Sequence, residues 1–314
     1  MGTVHQLPTP RSAGPTLGVA VAGFLSTLGT PNTAKAYGVA LRGLVDRFGA
    51  DRALPELSTE PAAEEIAAWF LGRWGTTAVA TFNVRLDALR SAAAWWDRQG
   101  WLPGGDPFRR IRRRSGGGAA VRAIDRSVLA AFLARPDLPL RERLLYTLLY
   151  ESAARTEEVL ALDVPALDRP NRRARVRRKG GAADVITWQT RTARLLPRYL
   201  EGRTTGPLFL THRRARVELP AGDLDPSTGR ARLSYRRAEE QLSQLTTGEP
   251  GGPWDLHQLR HSALTHAAED GASTAMLMAL SGHTNVKSLA IYTKISTEAL
   301  ARWRAEHDPA GRRR

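Results

Sequence analysis

A chain of 314 residues, 42% of them hydrophobic, is long enough for about two domains with separate cores. It has no cysteine, which excludes a disulfide framework and a thiolate metal site. The formal net charge is +15 and the isoelectric point about 11.1, so an anionic polymer is the first partner to consider. Residues 1–115 carry 14 basic and 9 acidic side chains, and residues 116–314 carry 32 and 22. Both halves are therefore basic, as expected of a protein that grips a polyanion from two sides. No window approaches the ~18 apolar residues of a membrane span. The N-terminus lacks the basic-then-apolar pattern of a signal peptide. The expectation is a cytoplasmic protein with no membrane partner, nucleoid-associated if the polymer is DNA.

Residues 1–15 are rich in Pro and Gly and read as a disordered N-terminus. Between Thr16 and Phe48 two helical patterns follow, broken near Gly29-Thr30-Pro31. The second places Ala34, Tyr37, Leu41, Leu44, Val45 and Phe48 at helical spacing. A third helix is predicted over Pro61–Gly72, with Pro61 in its first turn. A fourth covers Thr77–Arg98, with Val79, Phe82, Leu86, Leu89 and Ala93 on one side. Trp95, Trp96 and Trp101 cluster at its end and read as core, and Gly104-Gly105-Asp106-Pro107 stops the pattern. Residues 16–110 thus form a small helical domain. Arg109, Arg110, Arg112, Arg113 and Arg114 make a basic run, followed by Ser115 and three glycines. Residues 111–120 read as a basic, Gly-rich linker. The five arginines read as contacts to DNA phosphates, because a hinge crossing a polyanion gains from positive charge.

The second domain spans residues 121–305. Helices are predicted over Asp125–Leu133, Leu140–Glu151 and Glu157–Leu162, with Arg155 in the break before the third. In Arg172–Trp188 the period changes to two, and Lys179-Gly180-Gly181 at the middle marks a β-hairpin turn. Helices over Arg191–Leu200 and Arg230–Leu245 flank a polar, Pro-containing loop, Gly206–Thr228. A last helix, Glu298–Ala305, leads into a basic tail, residues 306–314.

The stretch from Trp254 to Thr293 carries the chemistry. His257 and Arg260 are three apart, so on a helix they share a face. His283 follows, and Tyr292 stands nine residues after it. A phenol beside two histidines and an arginine suits covalent attack on a phosphate. This stretch resembles the C-terminal signature of the tyrosine recombinases, the phage-integrase family: H-x-x-R, then L-x-G-H, then a Tyr nine residues on. Upstream, Arg155 and Glu158 resemble the family's Gly-x-Arg-x-x-Glu, with Ala153 in place of the glycine. Lys179 matches its K-G-G hairpin lysine, in a chain with 42 Arg and only four Lys. The six positions stand in family order at near-family intervals. The resemblance is strong over Val121–Ala305 and slight over Leu17–Arg110, where Thr33, Tyr37 and Asp106-Pro107 match. His257 and His261 also have the spacing of a zinc helix, but Gln258 replaces its glutamate and no third ligand is evident. No metal is expected, and His261 and His266 read as structural.

The resemblance implies a mainly α fold with a small β-sheet. A helical core DNA-binding domain and a mixed α/β catalytic domain would close as a C-shaped clamp around double-stranded DNA. It implies a site-specific recombinase that cuts and rejoins strands through a 3′-phosphotyrosyl bond to Tyr292. No metal, ATP or other cofactor takes part. Arg155 and Arg260 would hold the non-bridging oxygens, because a planar guanidinium makes two hydrogen bonds to phosphate and keeps its proton. His257 and His283 would donate to the same oxygens, and His257 could also accept the tyrosine's proton. Lys179 would protonate the leaving 5′-oxygen. The surrounding cations are expected to favour the phenolate of Tyr292. The family also implies a homotetramer on two recombination sites and a Holliday junction, with a short Xer-like or transposon-type member as the nearest kind. Two alternatives share the fold: a DNA-binding protein that cuts nothing, and a topoisomerase IB-like enzyme that religates without a partner site.

Overall fold

A computed structural model describes residues 14–116, 123–178, 181, 183–282, 285–289, 292, 297–306 and 308. The chain divides into two compact units, Met1–Ala119 and Ala120–Arg314. The first holds four helices: α1 (Leu17–Ser26), α2 (Pro31–Phe48), α3 (Glu60–Trp74) and α4 (Val79–Arg98). Their starts follow local rules. The Thr16 hydroxyl accepts the N–H of Val19, and α2 and α3 each carry a proline in the first turn, where no donor is lost. Leu41, Leu44, Phe70, Phe82, Leu86, Leu89 and Trp96 are all buried in one core. The Trp96 indole donates to the Ala20 carbonyl at 3.0 Å, so the buried ring leaves no orphan N–H.

The packing of this unit continues past α4, through Phe108 and Ile111, both buried. Asn83 brackets the Arg114 backbone, donating to its carbonyl (2.9 Å) and accepting its N–H (3.0 Å). The Arg114 guanidinium lies 4.0 Å above the Phe82 ring and donates to the Gly75 carbonyl at 2.6 Å. Arg109 and Arg110 pair with Glu60, and Arg113 with Asp87. Arg112 is exposed. Most of the basic run is therefore strapped to α3 and α4 by carboxylates and carbonyls.

The second unit is built on α6 (Leu140–Ser152), which follows α5 (Arg126–Ala134). Most of α6 is buried around its whole circumference, as expected of a central helix. After it come α7 (Thr156–Leu160), β1 (Leu167–Asp168), β2 (Arg173–Arg177), β3 (Ala183–Thr187) and α8 (Thr190–Leu200). The strands form an antiparallel sheet in the order β1-β2-β3, with Arg175 opposite Val185. Glu151, at the end of α6, accepts the N–H groups of Gln189 and Thr192 and so caps α8 from outside. The turn residues Lys179 and Gly180 lie outside the described residues.

The predicted helix Arg230–Leu245 is corrected. Its first residues form β5 (Arg230–Arg232), antiparallel to β4 (Leu210–Arg214) inside the expected loop, and α9 starts at Tyr235 and ends at Leu245. Tertiary contacts override the local helical pattern here. Arg232 donates to Asp223, to Asp163 and to the carbonyls of Leu160 and Leu162, which holds the segment extended. The Ser234 hydroxyl then accepts the N–H of Arg237 and starts the helix. Three helices complete the unit: α10 (Leu256–Glu269), α11 (Thr274–Ser281) and α12 (Thr297–Glu306). The described fold is thus mainly helical with small antiparallel sheets.

Candidate active site

Helix α10 is positioned at its first turn. The Asp255 carboxylate accepts the N–H of Gln258 at 2.7 Å, and the Gln258 side chain accepts the N–H of Asp255 at 2.9 Å, a reciprocal capping box. Glu239 of α9 accepts a third orphan donor, the N–H of Leu256. Gln258, which disqualified the zinc reading, therefore has a local task. His257 is exposed on that first turn, whereas Arg260 is only 4% exposed.

Arg260 is oriented by the backbone. Its Nη1 donates to the Ala153 carbonyl at 2.6 Å and its Nη2 to the Ser281 carbonyl at 2.7 Å. Burial pushes its pKa down to about 10, and the positive charge of Arg155 adds to the shift. Ala153 ends α6 in the left-handed conformation, φ 49° and ψ 20°. This is the position where the motif carries glycine. A side chain there costs roughly 1–2 kcal/mol, and the buried methyl group returns about 0.8 kcal/mol by packing. It lies in a small apolar cluster with Leu264, Leu277 and Tyr292.

Arg155 immediately precedes α7. Its backbone N–H donates to Glu158 Oε2 at 3.0 Å, and its Nη1 to Glu158 Oε1 at 2.9 Å. The Arg155 side chain is 37% exposed while that of Glu158 is 4% exposed, so the pair has a solvent-facing cation and a buried anion. Glu158 accepts from a second cation that the sequence did not single out. Arg178 Nη1 lies 3.5 Å from Glu158 Oε2 and 3.0 Å from the Ser281 carbonyl, and its Nε donates to Asp184 at 2.5 Å. Arg155, Arg178 and Arg260 are thus linked through Glu158 and the Ser281 carbonyl. Inward positions alternate along β2 at Ala174 and Val176, and Arg178 is the next one. A charged residue at an inward strand position was the available signal.

Tyr292 is buried, and its N–H donates to the Leu289 carbonyl at 2.8 Å. Its ring lies 5.0 Å from that of His261, tilted by 48°. Burial raises the phenol's pKa, and the charge of Arg260 offsets only part of that. Among the described residues the expected shift toward phenolate is therefore corrected, because desolvation outweighs the charge of Arg260. His266 is fixed by a 2.8 Å contact between its Nδ1 and the Tyr150 hydroxyl. Lys179 and His283 lie outside the described residues. Their chain neighbours Arg178 and Gly282 are described and meet: a Cβ on Gly282, which has φ +62°, would overlap the Arg178 guanidinium. The residue that follows β2 and the residue that follows α11 therefore meet. The arrangement sets two guanidinium groups, one solvent-facing and one desolvated, in the same cluster as a buried phenol, an environment suited to an oxyanion.

The sequence profile of the phage integrase family matches residues 123–299. A tyrosine recombinase XerC of Mycobacterium bovis is 32% identical over 259 residues, covering 78% of this chain and 82% of its own. A tyrosine recombinase XerD of Caulobacter vibrioides is 31% identical over 301 residues, covering 90% and 92%. Among solved structures, the Tn1549 transposon integrase in complex with transposon right end DNA superposes with a TM-score of 0.67 at 16% identity, over 93% of this chain and 98% of that one. Lambda integrase residues 75–356 bound to DNA give 0.64 at 16% identity, over 89% and 95%. The chain belongs to the phage integrase family and is a tyrosine recombinase.

Proposed function

We propose that this recombinase cuts and rejoins double-stranded DNA at specific sites through a covalent 3′-phosphotyrosyl bond to Tyr292. The observation that carries this reading is Arg155, paired with Glu158, within electrostatic reach of Arg260, with buried Tyr292 in the field of Arg260. A phosphodiester gains negative charge in the transition state, and Arg155 and Arg260 would each bind a non-bridging oxygen. Tyr292 Oη attacks phosphorus and the bond from phosphorus to the 5′-oxygen breaks. The phenolic proton passes to His257, and Lys179 gives a proton to the departing 5′-oxygen. His283 donates to the phosphoryl oxygens. A partner strand's 5′-hydroxyl then attacks the phosphotyrosine, the new phosphodiester forms and Tyr292 is released. The bond energy stays in the protein–DNA link, so no ATP is needed, and the two arginines take the charge-stabilising place that a metal ion would otherwise fill. On two sites the reading implies a homotetramer that exchanges strands through a Holliday junction. Arg112 would meet phosphate first, and Arg109, Arg110 and Arg113 would do so by exchanging their carboxylates.

The test is trapping. The protein is incubated with a nicked duplex from the DNA flanking its gene, in EDTA, and denatured. The expected result is a protein–DNA adduct that disappears in Tyr292→Phe. Tight binding with no adduct would mean a binder that does not cut. An adduct that persists in Tyr292→Phe would mean another nucleophile.

A further inference from the structure

We infer that Glu60 is a resident stand-in for phosphate, which masks Arg109 and Arg110 and weakens their grip on DNA until a phosphodiester takes its place. The basic run contains two kinds of arginine. Arg114 meets neutral groups, the Phe82 ring and the Gly75 carbonyl, and so fixes the chain. Arg109 and Arg110 meet a carboxylate instead. Glu60 Oε2 accepts from Arg109 Nε at 3.2 Å and from its Nη2 at 2.5 Å, and Glu60 Oε1 accepts from Arg110 Nε at 2.5 Å. One singly charged group thus gives one oxygen to each arginine. A phosphodiester also has two terminal oxygens that share one charge, and a guanidinium fork fits either. The site is preorganised. Phe108 and Ile111 on either side of it are buried, and the Ile111 carbonyl accepts from Arg90 at 2.7 Å. It is also open, since the side chains of Glu60, Arg109 and Arg110 are 54%, 32% and 44% exposed. Glu64 lies 3.1 Å from Arg110, and Asp87 pairs with Arg113. Five arginines against three carboxylates leave a polyanion only +2 to approach. An exposed ion pair of this kind is weak enough to be exchanged and strong enough to be felt in binding.

This inference rests on the proposed action on duplex DNA, and one set of titrations separates the two. The full chain is titrated with a fluorescent duplex of arbitrary sequence over a range of salt, since phosphate contacts carry no sequence information. The parent is compared with Glu60→Gln, with Asp87→Asn, with Arg109→Met and Arg110→Met together, and with that pair plus Glu60→Gln. Thermal melting checks folding. Glu60→Gln keeps the shape and drops the charge. It is expected to tighten binding about 5-fold, the upper end of what an exposed ion pair is worth. Asp87→Asn, which unmasks Arg113, is expected to tighten it about 2-fold. Loss of both arginines is expected to lower the slope of log Kd against log salt by about 2. In that background Glu60→Gln is expected to gain less than about 2-fold. If Glu60→Gln tightens binding by the same factor with and without the arginines, it acts through net charge alone and the inference falls. It falls also if Glu60→Gln does not tighten binding while the parent binds the duplex and forms the Tyr292 adduct, and the recombinase reading then stands. If the parent binds no duplex even at low salt, the DNA reading falls, and the inference with it.

Discussion

Replacing Glu158 with glutamine removes the buried negative charge that Arg155 and Arg178 share. The shape is kept, so the loss is electrostatic. A carboxylate about 4 Å from a guanidinium charge, at an effective dielectric constant near 20, is worth about 4 kcal/mol. Glu158 has two such neighbours, Arg155 and Arg178. The Arg155 share is reduced by solvent, since that side chain is 37% exposed. The carboxylate's own desolvation cost is also recovered on substitution. Breaking a buried pair by removing one partner leaves a net loss of about 3–5 kcal/mol, and the retained amide oxygen puts Glu158→Gln near the lower figure. For a unit of this size that lowers the melting temperature by roughly 6–12 °C. The assay is thermal and urea unfolding of the second unit's transition, with Arg178→Met and the double variant alongside. Because Arg178 loses one of its counter-charges when Glu158 is gone, the double variant is expected to lose at least ~1 kcal/mol less than the sum of the singles. A single-variant loss below about 1 kcal/mol, or strict additivity in the cycle, would refute the argument that Glu158 is the common counter-charge.

Two further outcomes follow from the same cluster. Gly282→Ala places a methyl group where the Arg178 guanidinium lies, at a backbone position with φ +62°. It is expected to destabilise by at least ~2 kcal/mol, about half from the left-handed backbone, and to lose part of that penalty when Arg178 is already methionine; urea midpoints of the two backgrounds check it. For Tyr292 the folded-state pKa is raised by burial, so its contribution to stability is complete below the unfolded value near 10 and is lost as pH climbs through the folded one. The stability difference between parent and Tyr292→Phe should therefore stay constant from about pH 6 to 9 and turn against the parent above about pH 10; a drift within the neutral range would contradict the assignment.

Helix positions were legible because each repeats one local signal several times. Apolar periodicity in the first four helices and in α6 reads the same core face over and over, so tertiary context had nothing to overrule. The β2–β3 hairpin was legible for a similar reason, through alternation and a glycine turn. What failed to show were elements specified by a distant partner. β5 looked like the start of α9 until Arg232 met Asp163, Asp223 and the carbonyls of Leu160 and Leu162. Arg178 was hidden in a run of arginines, since the acceptors that distinguish it come from residues 158, 184 and 281. The phenol's titration was misjudged because sequence shows neighbouring cations but not the depth of burial. In the same way, the side chains that hold the basic run after α4, Asn83, Phe82 and Glu60, are far from it in the chain and do not show in the sequence.

The two carbonyls that grip Arg260 separate orientation from neutralisation. A carboxylate in either place would fix the guanidinium as firmly, but its full negative charge would cancel the field that an incoming anion feels. A carbonyl is a dipole. Its oxygen fixes the fork at 2.6–2.7 Å, while its effect at longer range decays faster than that of a charge. Ser281 is also the last residue of α11, so its oxygen sits at the negative end of that helix. These two carbonyls thus aim a cation without setting a further net charge against it.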